Sequence, residues 1–334
     1  MNCFMPASAG LLAASISLLA CASTSLAQDS KPINIVVGFS AGGGYDAYAR
    51  VLARHFSKHM LGNPRVIVQN MPGASGLKAV NWLNNGAALD GTVMTAFNPG
   101  LITESLLDPA KVQIKLSDFA WVGSISEDYR VCYAWTATGV KTPEDWLKKA
   151  VVNMGSPSPA SSSHINQALM KNLLGMKVRH VLGYPGSAEE RLAIERGELD
   201  GGCGAWSSNP PEWVKQRKIT PIISFTKSVP NLDQPVTFIR DLVKTDEHRA
   251  LIDVITAPDI VGRPYVASKS IADDRLALLR KAFDATVADK DFVADATKMD
   301  LTVSPMNGAD AEAHVRKIYQ ATPGTIDALK ASVK

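Results

Sequence analysis

Short apolar runs alternate with stretches of helical spacing along most of the chain. Ile33–Val37 is an apolar run that ends at a glycine turn and reads as a buried strand. Asp46–Met60 carries Ala49, Leu52, Ala53, Phe56 and Met60 at helical spacing. Arg65–Val68 is the next strand, followed by the turn Asn70-Met71-Pro72-Gly73. Ala79–Leu83 sits in a helix, and Val93–Phe97 and Phe119–Gly123 are strands. The alternation then restarts. Val131–Trp135, Val151–Met154, Val178–Leu182, Leu199–Cys203 and Pro221–Phe225 read as strands. Helices open at Thr142-Pro143-Glu144, where Thr caps and Pro fits the first turn, and span His164–Leu174 and Ala188–Arg196. After Pro235 the pattern is mostly helical: Arg275–Ala288, Asp291–Lys298 and Ala309–Tyr319. The apolar stretch Asp259–Val266 fits a strand returning to the first sheet.

Alternating strands and helices predict parallel sheets flanked by helices. The expectation is an α/β fold of two lobes, each a mostly parallel sheet, with the second inserted in the first. Residues 28–128 and 235–334 then form the first lobe and residues 129–234 the second. The joins fall near Ser126–Arg130 and Ser228–Pro235, and the ligand site is expected in the cleft between the lobes.

The first 27 residues stand apart because none is charged. Leu11–Ala22 is too short an apolar run to span a bilayer as a mature helix. Ser25-Leu26-Ala27 supplies the small residues of a cleavage site, so residues 1–27 read as a signal peptide. A lipoprotein box ending at Cys21 is the competing reading. No later segment has the apolar length of a membrane span, so an exported, soluble mature protein is expected. Of the four cysteines, only Cys132 and Cys203 lie beyond the leader. The net charge of +3 is spread rather than clustered, which argues against a nucleic-acid partner.

The glycine loop is the strongest chemical signal. Gly42-x-Gly44-x-x-Ala47 matches a dinucleotide fingerprint in form, but the next strand ends in Val68-Gln69-Asn70, without the required carboxylate. No Lys-Ser or Lys-Thr follows the glycines, which excludes a P-loop. General anion binding remains: free N–H groups and the positive end of a helix suit a carboxylate. A turn without a ligand is the plain alternative. Asp46 is expected to cap the helix rather than to meet the ligand. Ser156–His164 holds serines and a histidine but no nucleophile elbow, and Ser161 or Ser162 reads as a helix cap. His55 and His59 have a metal-compatible spacing without a third ligand, so no metal and no cofactor are expected. Tyr184 and Trp206 follow strands and stand where a cleft wall is expected.

Three ordered motifs carry a resemblance: Gly38-Phe39-Ser40-Ala41-Gly42-Gly43-Gly44-Tyr45-Asp46, Asn70-Met71-Pro72-Gly73-Ala74-Ser75-Gly76, and Asp90-Gly91-Thr92. Over residues 31–330 the chain resembles the Bug-type periplasmic substrate-binding receptors of tripartite tricarboxylate transporters. The resemblance implies a two-lobed type II periplasmic-binding-protein-like fold and a non-enzymatic receptor, expected to be monomeric. It implies a small organic acid as ligand and membrane transporter subunits as partners. An exported serine-type hydrolase and a receptor feeding a sensor kinase are the alternatives. The resemblance places the ligand on Phe39–Asp46 and Ser156–His164 with Tyr184–Ser187 beside them, and the ligand-binding set expected altogether is Phe39, Ser40, Ala41, Gly42, Gly43, Gly44, Tyr45, Asn98, Ser156, Ser161, Ser162, Tyr184, Gly186 and Trp206. The sequence departs from the family where Ser158 and Ala160 replace two glycines of the second-lobe loop, at Tyr45, and at Pro185. A family-like strand order would set the strand of Cys132 beside that of Cys203, leaving open a disulfide or two buried thiols.

Overall fold

A computed structural model describes residues 31–333. The leader assigned to residues 1–27, with Cys21, lies outside them. In chain order the first elements are β1 (Ile33–Val37), α1 (Gly44–Phe56), β2 (Val66–Asn70), α2 (Leu77–Asn85), β3 (Val93–Ala96), α3 (Gly100–Leu107) and β4 (Ala120–Ser124). Then come β5 (Arg130–Trp135), α4 (Pro143–Lys148), β6 (Val152–Ser156), α5 (Ser162–Leu174), β7 (Val178–Leu182), α6 (Ser187–Glu195) and β8 (Gly201–Ala205). They are followed by α7 (Pro211–Lys215), β9 (Ile219–Ser224), β10 (Thr237–Phe238), α8 (Ile239–Leu242) and α9 (Asp246–Thr256). The chain ends with β11 (Pro264–Ala267), α10 (Asp273–Val287), α11 (Lys290–Lys298), β12 (Met306–Asn307), α12 (Gly308–Ile318) and α13 (Pro323–Val333).

These elements build two sheets, ordered β12-β4-β11-β3-β1-β2 and β10-β9-β5-β8-β6-β7. The two α/β lobes are as expected, each a mostly parallel sheet with reversed strands among its members. In the first, β1 pairs in parallel with β2 and β3, while β11 runs antiparallel to β3 and β4. In the second, β6 is parallel to β7 and β8, while β5 is antiparallel to β8 and β9. Strands that cross from the other lobe enter their sheet reversed. Apolar periodicity cannot show this, because both strand directions bury the same residues.

Helix α1 shows how the first lobe holds together. Its apolar face buries Tyr48, Val51, Leu52 and Phe56 in one cluster with Ile35 of β1, Phe283 of α10 and Phe292 of α11. In the second lobe, Trp146, Met154, Leu169 and Ile223 form the centre. Each such side chain contributes about 1.5–3 kcal/mol on leaving water.

The lobe boundary differs from the sequence expectation. Ile239, Val243, Leu251, Ile252 and Ile255 belong to the second lobe's core, and β10 pairs with β9. Residues 235–256 therefore continue the second lobe, and Ser228–Pro235 is a loop within it rather than a hinge. The chain returns to the first lobe at Ala257–Val261. It crosses once more after α12, because Leu329 of α13 is buried in the second lobe's core. An amphipathic pattern gives a helix its apolar face but not the sheet that the face covers.

The first two crossings run side by side. Asp128 N–H donates to Asp259 O at 2.7 Å, and Arg263 N–H donates to Ser126 O at 3.0 Å. Gly262 permits this approach, since a β-carbon there would come within 2.2 Å of Asp128 N. No helix among the described residues is long and apolar enough to cross a membrane.

Candidate ligand-binding cleft

The loop after β1 forms the first wall of the cleft. Helix α1 begins at Gly44 with Gly43 as its N-cap, and no side chain caps it. This corrects the role expected of Asp46, which lies inside the first turn. Its carboxylate reaches back instead: Oδ2 accepts from Gly42 N–H and Arg50 Nε, both at 2.9 Å, and Oδ1 accepts from Asn70 Nδ2 at 2.9 Å. Burial alone would raise the pKa of Asp46, but these donors outweigh it and hold the group below its ordinary range. The first N–H groups of α1 have no acceptor within the helix, and Gly43, Gly44 and Tyr45 line the cavity.

Tyr45 stacks on Phe39 with ring centres 4.6 Å apart and carries the Arg263 guanidinium 4.5 Å above its ring. Its hydroxyl accepts from Asn98 Nδ2 at 3.1 Å. The Asn98 carbonyl oxygen in turn accepts from Ser162 N–H (2.9 Å) and Ser162 Oγ (3.0 Å) across the cleft.

Charged groups with almost no exposure sit where the lobes meet. Arg130 Nη1 donates to Asp128 Oδ2 at 2.6 Å and Nη2 to Ser163 Oγ at 2.9 Å. With the Asn166 amide turned to receive it, Arg130 Nε donates there at 2.9 Å. Arg263 Nη2 lies 3.2 Å from Asp128 Oδ1, at ion-pair distance without the alignment of a hydrogen bond, and donates to Ser208 Oγ at 3.0 Å. Asp259 accepts from Ser162 Oγ at 3.1 Å, and burial raises its pKa. On α6, Glu190 is buried and its Oε1 has no hydrogen-bond partner. Desolvation pushes its pKa up to about 8. A disulfide joins Cys132 and Cys203, which face each other directly across β5 and β8, and Cys203 lines the cavity.

The lobes are closed on one another. Ser40 Oγ donates to Glu189 Oε2 at 2.8 Å, Ser40 N–H to Pro185 O at 3.1 Å, and Arg191 Nη2 to Gly42 O at 2.9 Å. Gly44 packs so tightly on the second lobe that a β-carbon there would lie 2.1 Å from Ser208 Oγ. A cavity of about 70 Å³ remains between the walls.

The expected site residues divide. Phe39, Gly43, Gly44, Tyr45 and Asn98 line the cavity. Ser40 and Gly42 serve the closing contacts, and Gly186, the N-cap of α6, sits against Ser40. Ala41 is exposed. Ser156 is buried with its hydroxyl unpartnered, Ser161 caps α5 by accepting from His164 N–H, and Ser162 is taken up by Asn98 and Asp259. Tyr184 borders a separate shallow groove with Pro72 and Gly73. Trp206 is packed in the second lobe's core beside Val131 and Trp213. Arg263, Glu190, Arg191 and Ser208 line the cavity without having been expected there. Arg263 had a signal, as a lone charge inside an apolar run. Glu190 and Arg191 had none, because adjacent charges on a helix read as a solvated face.

No protein-family model matches the chain. A UPF0065 protein from the gbd 5' region of Cupriavidus necator is 27% identical over 290 residues, covering 80% of this chain and 84% of that protein. The structure of the periplasmic binding protein BugD superposes with a TM-score of 0.73 at 19% identity, covering 90% of this chain and 97% of the other. MatC from Rhodopseudomonas palustris, solved with bound malate, gives 0.71 at 17% identity, over 91% and 99% of the two chains. The resemblance read from the three motifs thus holds over nine-tenths of the chain, which has the two-lobed fold of the Bug-type periplasmic binding proteins.

Proposed function

We propose that this protein is an exported, non-catalytic receptor that captures a small organic acid between its lobes and hands it to a tripartite tricarboxylate-type transporter. The observation that carries the reading is the free N-terminus of α1, held by Asp46 and aimed with Gly43 and Gly44 into a cavity that both lobes close. Such an end favours an anion through its free N–H groups and its dipole. The malate bound by MatC has this chemistry. The uncharged leader and Ser25-Leu26-Ala27 support a periplasmic address.

Against the alternative of a serine hydrolase, His164 lies tilted against His180 with ring centres 4.4 Å apart, and it borders a pocket with Glu104 and Lys330 rather than the cavity. Melting curves of the purified protein against a panel of mono-, di- and tricarboxylates test the reading. An acid at 100 times its dissociation constant adds about 2.7 kcal/mol of stability. Esters and amides incubated in parallel are expected to survive intact. Turnover of any of them, or a panel without a single stabilising acid, rejects the proposal. A receptor that serves a sensor kinase would bind the same acid, yet deleting its gene would leave uptake of the labelled acid unchanged.

A further inference from the structure

The two walls of the cavity differ in chemistry. The first presents N–H donors at the start of α1. The second presents a carboxyl, Glu190, in the first turn of α6, with the residue only 9% exposed. Its Oε1 is buried without a hydrogen-bond partner, and the residue lines the cavity. The nearby arginines do not bond to it. Arg130 is committed to Asp128 and Ser163, and Arg191 to Ser187, Ser208 O and Gly42 O. The hydroxyl of Tyr133, which senses the charge of Glu190, also borders the cavity. A buried carboxyl without a donor is costly, and an apolar side chain would fill the same wall without that cost. The carboxyl therefore calls for a donor that no described residue supplies, in the wall of a cavity where a ligand can bring it.

We propose that Glu190 is the specificity residue of the cleft, and that the acid captured carries an ammonium group. The ammonium donates to the Glu190 carboxylate, while the ligand's own carboxylate lies at the N-terminus of α1. This rests on the receptor reading and narrows it. A plain dicarboxylate of the same length brings a second carboxylate and no ammonium to Glu190, and the site binds it less tightly. Burial raises the pKa of Glu190 because desolvation outweighs the attraction of Arg130 and Arg191, neither of which hydrogen-bonds to it.

Titration calorimetry of the whole mature protein with matched acid pairs tests this: glutamate against glutarate, aspartate against succinate, 4-aminobutyrate against butyrate. In at least one pair the amino acid is expected to bind ten times tighter or more. Glu190→Gln should reduce that advantage to below threefold, with an unliganded melting temperature equal to or above that of the parent showing that the variant folds. Amine-free acids that bind as tightly as their partners overturn the assignment while leaving the receptor standing. So does a Glu190→Gln variant that keeps the preference. If no acid of either kind binds the parent protein, the receptor reading fails and this inference falls with it.

Discussion

Arg130 Nη1 donates to Asp128 Oδ2 at 2.6 Å, with side-chain exposures of 3% and 0%. Asp128 lies on the first crossing between the lobes, Arg130 opens the second lobe's sheet, and Arg263 on the return crossing meets the other oxygen of Asp128. One carboxylate thus serves two buried guanidinium groups. Replacing it leaves both cations in a poor solvent. Asp128→Ala is expected to cost about 3–5 kcal/mol, read as a fall in the urea midpoint. A loss below about 1 kcal/mol would mean that the arginines find other acceptors.

Gly44 is a test of closure. A β-carbon at this position meets Ser208 Oγ only when the lobes are together. Alanine suits the first turn of a helix better than glycine, so Gly44→Ala should melt at or slightly above the parent temperature. Its affinity for any stabilising acid should fall at least tenfold, and its radius of gyration with that acid should exceed the parent's. Unchanged affinity in calorimetry would show that Ser208 moves aside.

The pH dependence has two opposed arms. Burial, with His180 next in weight, lowers the pKa of His164 from 6.5 to about 4. The folded state thus holds fewer protons there than the unfolded one, and stability is lost as pH falls from 6.5 towards 4. Glu190 is raised from 4.5 to about 8. Its contribution is complete below 4.5 and is lost as pH rises towards 8. Between pH 6.5 and 8 the second arm dominates, at up to about 1.4 kcal/mol per pH unit for each group raised in this way. Glu190→Gln should lessen that decline without abolishing it, because Asp259 is raised in the same sense. His164→Phe should lessen the loss on the acid side without abolishing it, because His180 is lowered in the same sense. Melting temperatures from pH 4 to 9 check both, and parallel curves for parent and variant would refute the assignment.

The disulfide between Cys132 and Cys203 spans a sequence separation of 71 residues, for which the chain-entropy model gives about 4 kcal/mol. Reduction should lower the melting temperature by several degrees. It should also loosen the cavity floor where Cys203 lies, weakening acid binding more than a remote cut of equal energy. Alkylation without reductant should label neither cysteine. Two labels would mean free thiols in the native protein.

The glycine loop was legible because a strand, a run of glycines and a helix pattern leave few alternatives. The role of Asp46 was not, because the helix starts two residues earlier than its apolar face suggests. That shift turns a cap into a brace that holds the loop from within the first turn. Ile252 and Leu329 show a second limit: their spacing marks an apolar face, but only assembly decides that both cover the second lobe. Glu190 illustrates a third. It is polar by sequence, yet it is buried in the wall of a cavity that Phe39, Gly43, Gly44 and Tyr45 of the other lobe also line, and the neighbouring Glu189 is joined to Ser40 from about 150 residues away in the chain.

The late return of α13 has a consequence for the order of assembly. The second lobe's last sheet strand ends at Phe238, yet its core is sealed only by Leu329 and its neighbours, after the chain has gone back through the first lobe. During synthesis or passage across a membrane, the first strands of both lobes emerge long before either core is complete, and the second lobe cannot finish folding ahead of the first. The polypeptide should become protease-resistant in one late step, when its final turns arrive, rather than lobe by lobe.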